Sequence, residues 1–331
     1  MDPVAALERI AFLLEREDAS PYRVKAFRTA AAAARSLPAG PLDADRAARL
    51  PGVGPVTAQV IAEASAGDTP GYLAEAEERA GPLAEGGEQL RAALRGDCHL
   101  HSDWSDGGSP IEEMARTARD LGHEWAVLTD HSPRLTVANG LSAERLREQL
   151  RVVAAVNREL APFRLLTGIE CDILDDGGLD QDPALLAELD VVVASVHSKL
   201  RMDRAAMTRR MTAAVRNPLV DVLGHCTGRL VAGKRARPES AFDADAVFAA
   251  CAETGTAVEI NCRPDRRDPP SRLIARALDA GCLFTIDTDA HAPGQLDWQP
   301  YGCARAEAAG VPEDRVVTTL PLDGLLAWAA R

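Results

Sequence analysis

The sequence predicts an α/β protein: a parallel sheet closed into a barrel, preceded by a small all-helical domain. Three observations carry that prediction. From Asp97 onward, seven short apolar runs alternate with amphipathic helical stretches, the rhythm of strand–helix–strand units. Before about residue 80, apolar residues recur only at helical spacing. Six of the seven histidines stand at the C-terminal ends of strand-like runs, where a β/α barrel gathers its functional residues on one face.

The elements follow in order. "VAALERIAFLLERE" places Val4, Leu7, Ile10, Ala11 and Leu14 on one helix face. "SPYRVKAFRTAAAAARSL" predicts a second helix, with Ser20 as N-cap and Pro21 in the first turn. "LPGVGPVTAQVIAEA" sets a tight glycine turn between helical segments. "AGPLAEGGEQLRAALRG" predicts a polar linker with one last helix. The strand-like runs are "DCHLH", "EWAVLTD", "FRLLTGIE", "DVVVASV", "VDVLG", "TAVEIN" and "CLFTIDTD". The expected division is a helical domain over 1–80, a linker over 81–96 and a barrel over 97–331.

The net charge of −13 argues against a nonspecific coat on nucleic acid or on an anionic membrane. It leaves room for a local anion site built on metal ions, which bring their own positive charge. No apolar run reaches the ~18 residues that span a bilayer, so no membrane partner is expected. Seven cysteines stand singly and the acidic start "MDPVAALERI" carries no secretory signal. Both predict buried thiols in a reducing cytoplasm.

The chemistry sits at the strand ends. The first run ends in His99 and His101, the second in His131, the third in Glu170, the fourth in His197 and the fifth in His225. The sixth ends in Asn261, and the seventh is followed by Asp289 and His291. Side chains at i and i+2 of a strand share a face, so "HLH" can present both imidazoles to one point, and Asp289 and His291 likewise. His123, at a helix end, is expected to be an ordinary packed residue. Imidazoles and carboxylates without thiolates suit Zn, Mn or Fe. With Asp106 the candidates number nine, more than one ion can use, and two or three ions sharing a bridging carboxylate would accommodate them. Such clusters hold phosphoryl oxygens and lower the pKa of a water.

"HLHSDWSDG", "TDHS", "GIECDI", "SVHS", "GHCTGRL" and "TDAH" resemble, in order, the motifs of the PHP (polymerase and histidinol phosphatase) superfamily. The resemblance runs from about Gly96 to the end and is nearest to the C-terminal PHP domain of bacterial family X DNA polymerases. It implies a distorted (β/α)7 TIM-like barrel and three divalent metal ions. One ion would use His99, His101, Glu170 and Asp289. A second would share Glu170 and take His197 and His225, and a third would use Asp106, His131 and His291. Glu170, Asp289 and His291 are the catalytic candidates.

"LERIAFLLEREDASPYRVKAFRTAA" and "LPGVGPVTAQVIAEASAGDTPGYL" resemble the N-terminal helix-hairpin-helix domain of the same polymerases. There the backbone of Gly52, Val53 and Gly54 would bind a DNA phosphate. Pro55 removes one N–H from that hairpin. Val60 and Val56 occupy positions where lyase-competent members carry lysines. The gap between the helical domain and Asp97 holds no nucleotidyltransferase core.

Arg229 and Arg266 are candidates for substrate phosphate, a rim salt bridge with Asp268 or a neighbour being the alternative. Trp104 is expected to pack the first metal loop, or else to stack on a base; Lys199 is read as solvated charge. Asp130 and Asp287 flank metal positions and could orient a histidine, and Asn261 would cap the site. The expected function is hydrolysis of phosphate esters at DNA 3′ ends, as exonuclease, 3′-phosphatase or abasic-site endonuclease. A small-molecule phosphatase such as a histidinol-phosphatase is the alternative, and a DNA-end binding module with a vestigial site the third reading. No nucleotide cofactor is expected. Without a lysine at 60 or 56, borohydride treatment with an incised abasic duplex should trap no covalent complex. A trapped adduct would contradict that expectation.

Overall fold

The computed structural model describes residues 1–36, 40–233 and 236–330. The chain divides into two compact units, Met1–Leu83 and Ala84–Arg331.

The first unit is helical: α1 (Pro3–Arg16), α2 (Pro21–Ala34), α3 (Ala44–Ala47), α4 (Pro55–Ala66) and α5 (Gly71–Arg79). The expected face of α1 is buried at Leu7, Ile10, Ala11 and Leu14, and Val4 packs at its edge. The alanine run of α2 buries Ala30, Ala31 and Ala34 in the same core. Side chains that small let helices approach closely with little rotamer entropy to lose. Glu15, buried on α1, receives both Nε and Nη2 of Arg28 at 2.9 and 2.8 Å, which ties α1 to α2. Ser20 does hold the cap position of α2, but its hydroxyl makes no capping bond. Its carbonyl accepts instead from the amides of Arg23 and Val24.

The second unit opens with α6 (Glu88–Ala93), inside the stretch expected to be a linker. Seven strands then alternate with helices: β1 (Gly96–Leu100), α7 (Ile111–Asp120), β2 (Trp125–Leu128), α8 (Ala143–Leu160), β3 (Arg164–Asp172), α9 (Pro183–Leu186), β4 (Val191–Ser195), α10 (Arg204–Val215), β5 (Val222–Leu223), α11 (Ala244–Thr254), β6 (Ala257–Asn261), α12 (Ser271–Asp279), β7 (Phe284–Asp287), α13 (Gln299–Ala308) and α14 (Leu322–Ala329). All neighbouring strands pair in parallel in the order β1 to β7. A glycine is required at 168, where a Cβ would lie 2.5 Å from Val127 Cγ1 and 2.8 Å from the Val191 carbonyl oxygen.

Carboxylates close the seam between β7 and β1. Asp287 accepts from the Cys98 amide at 2.7 Å, and Asp97 accepts from the amide and hydroxyl of Thr288. One bridge, Leu100 to Ala290, continues the closure beyond β7. Below this polar layer Cys98, Trp125, Val127, Leu166, Val191, Val193, Val222 and Ala257 form an apolar floor against Val317 and Leu325. Above it stand the histidines.

His123 follows α7 and is 5% exposed, with neither ring nitrogen hydrogen-bonded. Burial foremost, with the positive charge of Arg91, pulls it from 6.5 down to about 3. The unfolded chain therefore binds this proton more readily. Its native-state contribution is intact above pH 6.5 and is lost as pH falls from 6.5 towards 3. Replacing His123 with Leu should spare the protein about 2–3 kcal/mol of that loss at pH 4.5 relative to pH 7. Urea unfolding of both proteins at the two pH values checks it. Equal losses would show that His123 does not titrate between the folded and unfolded chains.

Candidate metal centre

The barrel gathers the nine sequence-predicted side chains at the C-terminal ends of its strands. His99 and His101 leave β1, His131 follows β2, Glu170 lies in β3, His197 follows β4 and His225 follows β5. Asp289 and His291 follow β7, and the loop after β1 returns Asp106. Glu170 is central. Its Oε1 lies 2.8 Å from His225 Nε2 and 3.2 Å from His197 Nε2. Its Oε2 lies 2.8 Å from His131 Nδ1, 3.4 Å from His99 Nε2 and 3.7 Å from His101 Nε2. Asp289 Oδ1 faces His101 Nε2 at 3.4 Å and His99 Nε2 at 3.9 Å. Asp106 Oδ1 faces His131 Nε2 at 3.3 Å and His291 Nε2 at 3.4 Å.

Three groups have donor atoms close enough to share an ion: His101, Asp106, His131 and His291; His99, His101 and Asp289; His131, Glu170 and His197. His101 and His131 each belong to two groups, so the partition is less separated than the resemblance implies. His99 in β1 and His101 directly after it both face Glu170 Oε2 and Asp289 Oδ1, as alternation along a strand requires, whereas Asp289 and His291 lie beyond the end of β7. β7 ends at Asp287, and Asp289 turns into the left-handed region at φ +51°. That turn brings Asp289 Oδ1 within 3.5 Å of His291 Nδ1, and the same Nδ1 lies 2.8 Å from the Asp289 carbonyl oxygen.

The donor set fits divalent cations. Nε2 of His99, both ring nitrogens of His101 and His197, Nδ1 of His131 and His225, and Oε2 of Glu170 are buried without a hydrogen bond. Some lie close to a carboxylate oxygen, but none in hydrogen-bonding geometry. Each buried polar atom left so costs about 1–3 kcal/mol, and a cation satisfies several at once. Burial alone would raise Glu170, but the surrounding His197, His99 and His131 hold it well below the usual carboxylate range. Burial opposes ionisation of Asp289 too, and His99 with Arg266 overrides it. His101 is driven well below the usual imidazole range, first by burial and then by His291 and His131, which keeps it in the neutral form that ligates metal.

One functional residue escaped the sequence reading. Glu259 in β6 is fully buried, with Oε1 2.6 Å from His99 Nδ1. Its Oε2 accepts from the His225 amide and, at 3.3 Å, from Asn261 Nδ2. A carboxylate on Nδ1 fixes the tautomer whose Nε2 lone pair would be left to hold a metal ion. The available signal was an acid two residues before Asn261 in an otherwise apolar strand. Asn261 itself donates to Asp289 Oδ2 at 3.0 Å, in line with its expected place at the site.

Other expectations change. Among the described residues Asp130 orients no histidine: it receives the Ser102 amide, the Ser102 and Ser105 hydroxyls and Gln149, and so shapes the loop that carries Asp106. Asp287 is occupied at the barrel seam. Arg229 donates to the carbonyls of Arg266 and Arg267 and pairs with Glu239; among the described residues it has no contact with the histidines. Arg266 does reach the cluster, its Nε 3.1 Å from Asp289 Oδ2. Trp104 packs between two apolar clusters, and Lys199 pairs with Asp175 at the surface. Val60 is buried in the helical core and Val56 is exposed. In the hairpin, Gly52 has φ +76°. The Val53 amide donates to the Leu50 carbonyl and the Gly54 amide to Thr57 Oγ1. Of the three nominated amides, Gly52 alone keeps no partner among the described residues.

Fold and site together define a metal-dependent hydrolase acting on phosphoric esters. The PHP domain model matches residues 97–263 and a helix-hairpin-helix domain model matches residues 1–69. The chain belongs to the PHP family. It is 39% identical over 238 residues, 72% of its length, to "DNA polymerase/3'-5' exonuclease PolX" of Bacillus subtilis (strain 168), and spans 41% of that relative. It is 27% identical to a "Probable phosphatase" of Thermoanaerobacter sp. (strain X514), covering 67% of this chain and 89% of that one. A histidinol phosphate phosphatase from Lactococcus lactis subsp. lactis Il1403, solved with Zn, L-histidinol and phosphate, aligns over 66% of this chain and 94% of its own at 20% identity and a TM-score of 0.47.

Two or three divalent ions per chain are expected on elemental analysis of the protein as purified. Glu170→Gln should remove at least one and lower the melting temperature, since Glu170 touches five of the six histidines. Glu259→Gln should weaken metal affinity roughly 10–100-fold with the ligands themselves intact. Unchanged metal content in Glu170→Gln would rule out Glu170 as the shared ligand.

Proposed function

We propose that this chain hydrolyses phosphate esters at DNA 3′ ends. The observation that carries the reading is the convergence of six histidines and three carboxylates, with unsatisfied lone pairs, at the mouth of a barrel in a chain that also matches a helix-hairpin-helix model. Glu170, Asp289, Asp106 and the six histidines would hold the ions. Once bound, these would polarise phosphoryl oxygens and activate a water for attack on phosphorus.

The remaining roles fall to the chain's own groups. Arg266 has Nε and Nη1 buried and not hydrogen-bonded beside Asp289, and both can donate to a phosphate oxygen. Asp268, bonded to the Thr227 amide at 3.1 Å and hydroxyl at 2.7 Å, anchors the segment that carries Arg266. His291 and Asp106 are the most exposed members of the cluster and mark the side where substrate enters. Glu170 and Asp289 stay ionised in a buried setting, so the site keeps the negative charge that cations require.

DNA is favoured over a small metabolite by the helical unit and by the relative named as a 3'-5' exonuclease. Residues 1–95 carry 11 basic against 14 acidic side chains, so attraction to the backbone must be local. The first-turn amides of Val56 and Thr57 and the side chains of Arg23 and Lys25 would supply it. The competing reading has support of its own: the chain covers nearly the whole Thermoanaerobacter phosphatase and less than half of the polymerase. The two units adjoin at Leu83 and Ala84 in sequence, with no segment between them for a nucleotidyltransferase.

Steady-state rates of the full chain on a 3′-recessed duplex and on histidinol phosphate decide between the readings. The duplex should give the higher kcat/KM, with a shallow loss on adding salt because few phosphates are neutralised. Faster turnover of histidinol phosphate with no DNA processing would establish the small-molecule reading.

A further inference from the structure

Beside the histidine cluster lies a cavity of about 470 Å³ lined by Arg229, Arg263, Arg267 and Arg305, with no carboxylate in its wall. In a chain of net charge −13, four guanidinium groups around one cavity call for a cause. Two have structural duties. Arg229 and Arg305 both donate to the Arg267 carbonyl, and Arg305 also holds those of Asn261 and Pro269. Together they clamp the segment after β6 that carries Arg266. Arg263 pairs with Asp265 at 3.1 Å and places Nη1 3.3 Å from His291 Nδ1, so it forms part of both the cavity wall and the rim of the cluster.

Arg267 has neither duty. Its backbone stands at φ +50°, its side chain is exposed, and its guanidinium has no hydrogen-bond or ion-pair partner among the described residues. Pro270 and Ser271, at the N-terminus of the nine-residue α12, complete the wall, and that terminus has no side-chain cap. Its free amides add positive potential to the same space. The crowding shows in Arg305: burial foremost, with the charges of Arg229 and Arg267, pulls it down to about 10. Glu239 and Asp265 pair with Arg229 and Arg263 from outside the wall, while Arg267 and Arg305 have no ion-paired carboxylate among the described residues, and an anion in the cavity would offset their repulsion.

We infer that this cavity is a second phosphate site, holding a phosphate of the substrate next to the one at the histidine cluster. The inference rests on the phosphoesterase reading and narrows it to substrates with two phosphates in series, as at the end of a polynucleotide strand. A single phosphomonoester would leave the cavity without its anion. Arg267 and the α12 amides would contact the second phosphate directly, and Arg263 would stand between the two.

The test uses the full, metal-replete chain and two dinucleotides with a phosphorothioate linkage, thymidylyl-thymidine with and without a 5′-phosphate. Isothermal titration should show at least tenfold tighter binding of the 5′-phosphorylated ligand. Arg267→Glu should abolish that difference. Ser271→Glu, which places a carboxylate in the cavity at a helix N-terminus that favours it, should do the same without loss of fold. Inorganic phosphate should compete with the 5′-phosphorylated ligand only at much higher concentration. Equal affinity for the two dinucleotides, or a difference that survives both substitutions, would overturn the second site. Failure of the wild-type chain to hydrolyse any phosphate ester would refute the phosphoesterase reading, while the binding comparison would still decide whether the cavity takes a phosphate.

Discussion

A carboxylate buried among imidazoles is the interaction on which the rest of this structure depends. Glu170 is 1% exposed and faces five histidine rings from four different segments of the chain. Removing such a charge from water costs several kcal/mol unless partners compensate it. Here the partners arrive from β1, β2, β4 and β5 only if the sheet closes and its strand ends align. The barrel is therefore a device for bringing distant side chains to one point, and Glu170 is the point.

Closure in turn depends on polar groups where an ordinary barrel would use a backbone ladder. Asp97 and Asp287 join β1 to β7 through amides and a hydroxyl of the opposite strand. Burial pushes both carboxyls up, to about 6 for Asp97 and well above the usual range for Asp287. The apolar floor around Trp125 and Val193 keeps water from this layer. The result is a gradient along the barrel axis, from packed hydrocarbon through hydrogen-bonded acids to imidazoles with open lone pairs. Asp287 Oδ2 is also left without a hydrogen bond in the middle layer, but the open imidazole nitrogens gather only in the last one.

The same contrast separates the arginines around the mouth. Arg229 and Arg305 spend their donors on carbonyls and so act as framework. Arg266 keeps two donors beside Asp289. In the helical unit, Thr57 takes up the Gly54 amide and Leu50 that of Val53, which leaves the Gly52 amide and the first turn of α4 as the places a phosphate could meet. In both places the fate of individual N–H groups, more than the residue type, separates support from contact.

Much was legible in the sequence because the periodicities are local. Seven apolar runs became seven strands, the α1 face became its core, and the histidines at five of the seven strand ends were visible as a pattern of spacing. The metal-ligand candidates were readable because histidine is rare here and its positions are not random. What sequence could not tell was decided by contacts between residues far apart in the chain. Glu259 meets His99 across a separation of 160 residues, and Asp287 meets Cys98 across 189. Whether Asp130 would serve a histidine or a loop depended on where Ser102, Ser105 and Gln149 came to lie. The left-handed turn at Asp289, the donor geometry of Arg229 and the arginine cavity likewise arise only once the sheet is closed. Residue type and spacing determine which groups can ligate or donate; tertiary packing decides which lone pairs and N–H bonds are left unused, and those are the ones free to bind.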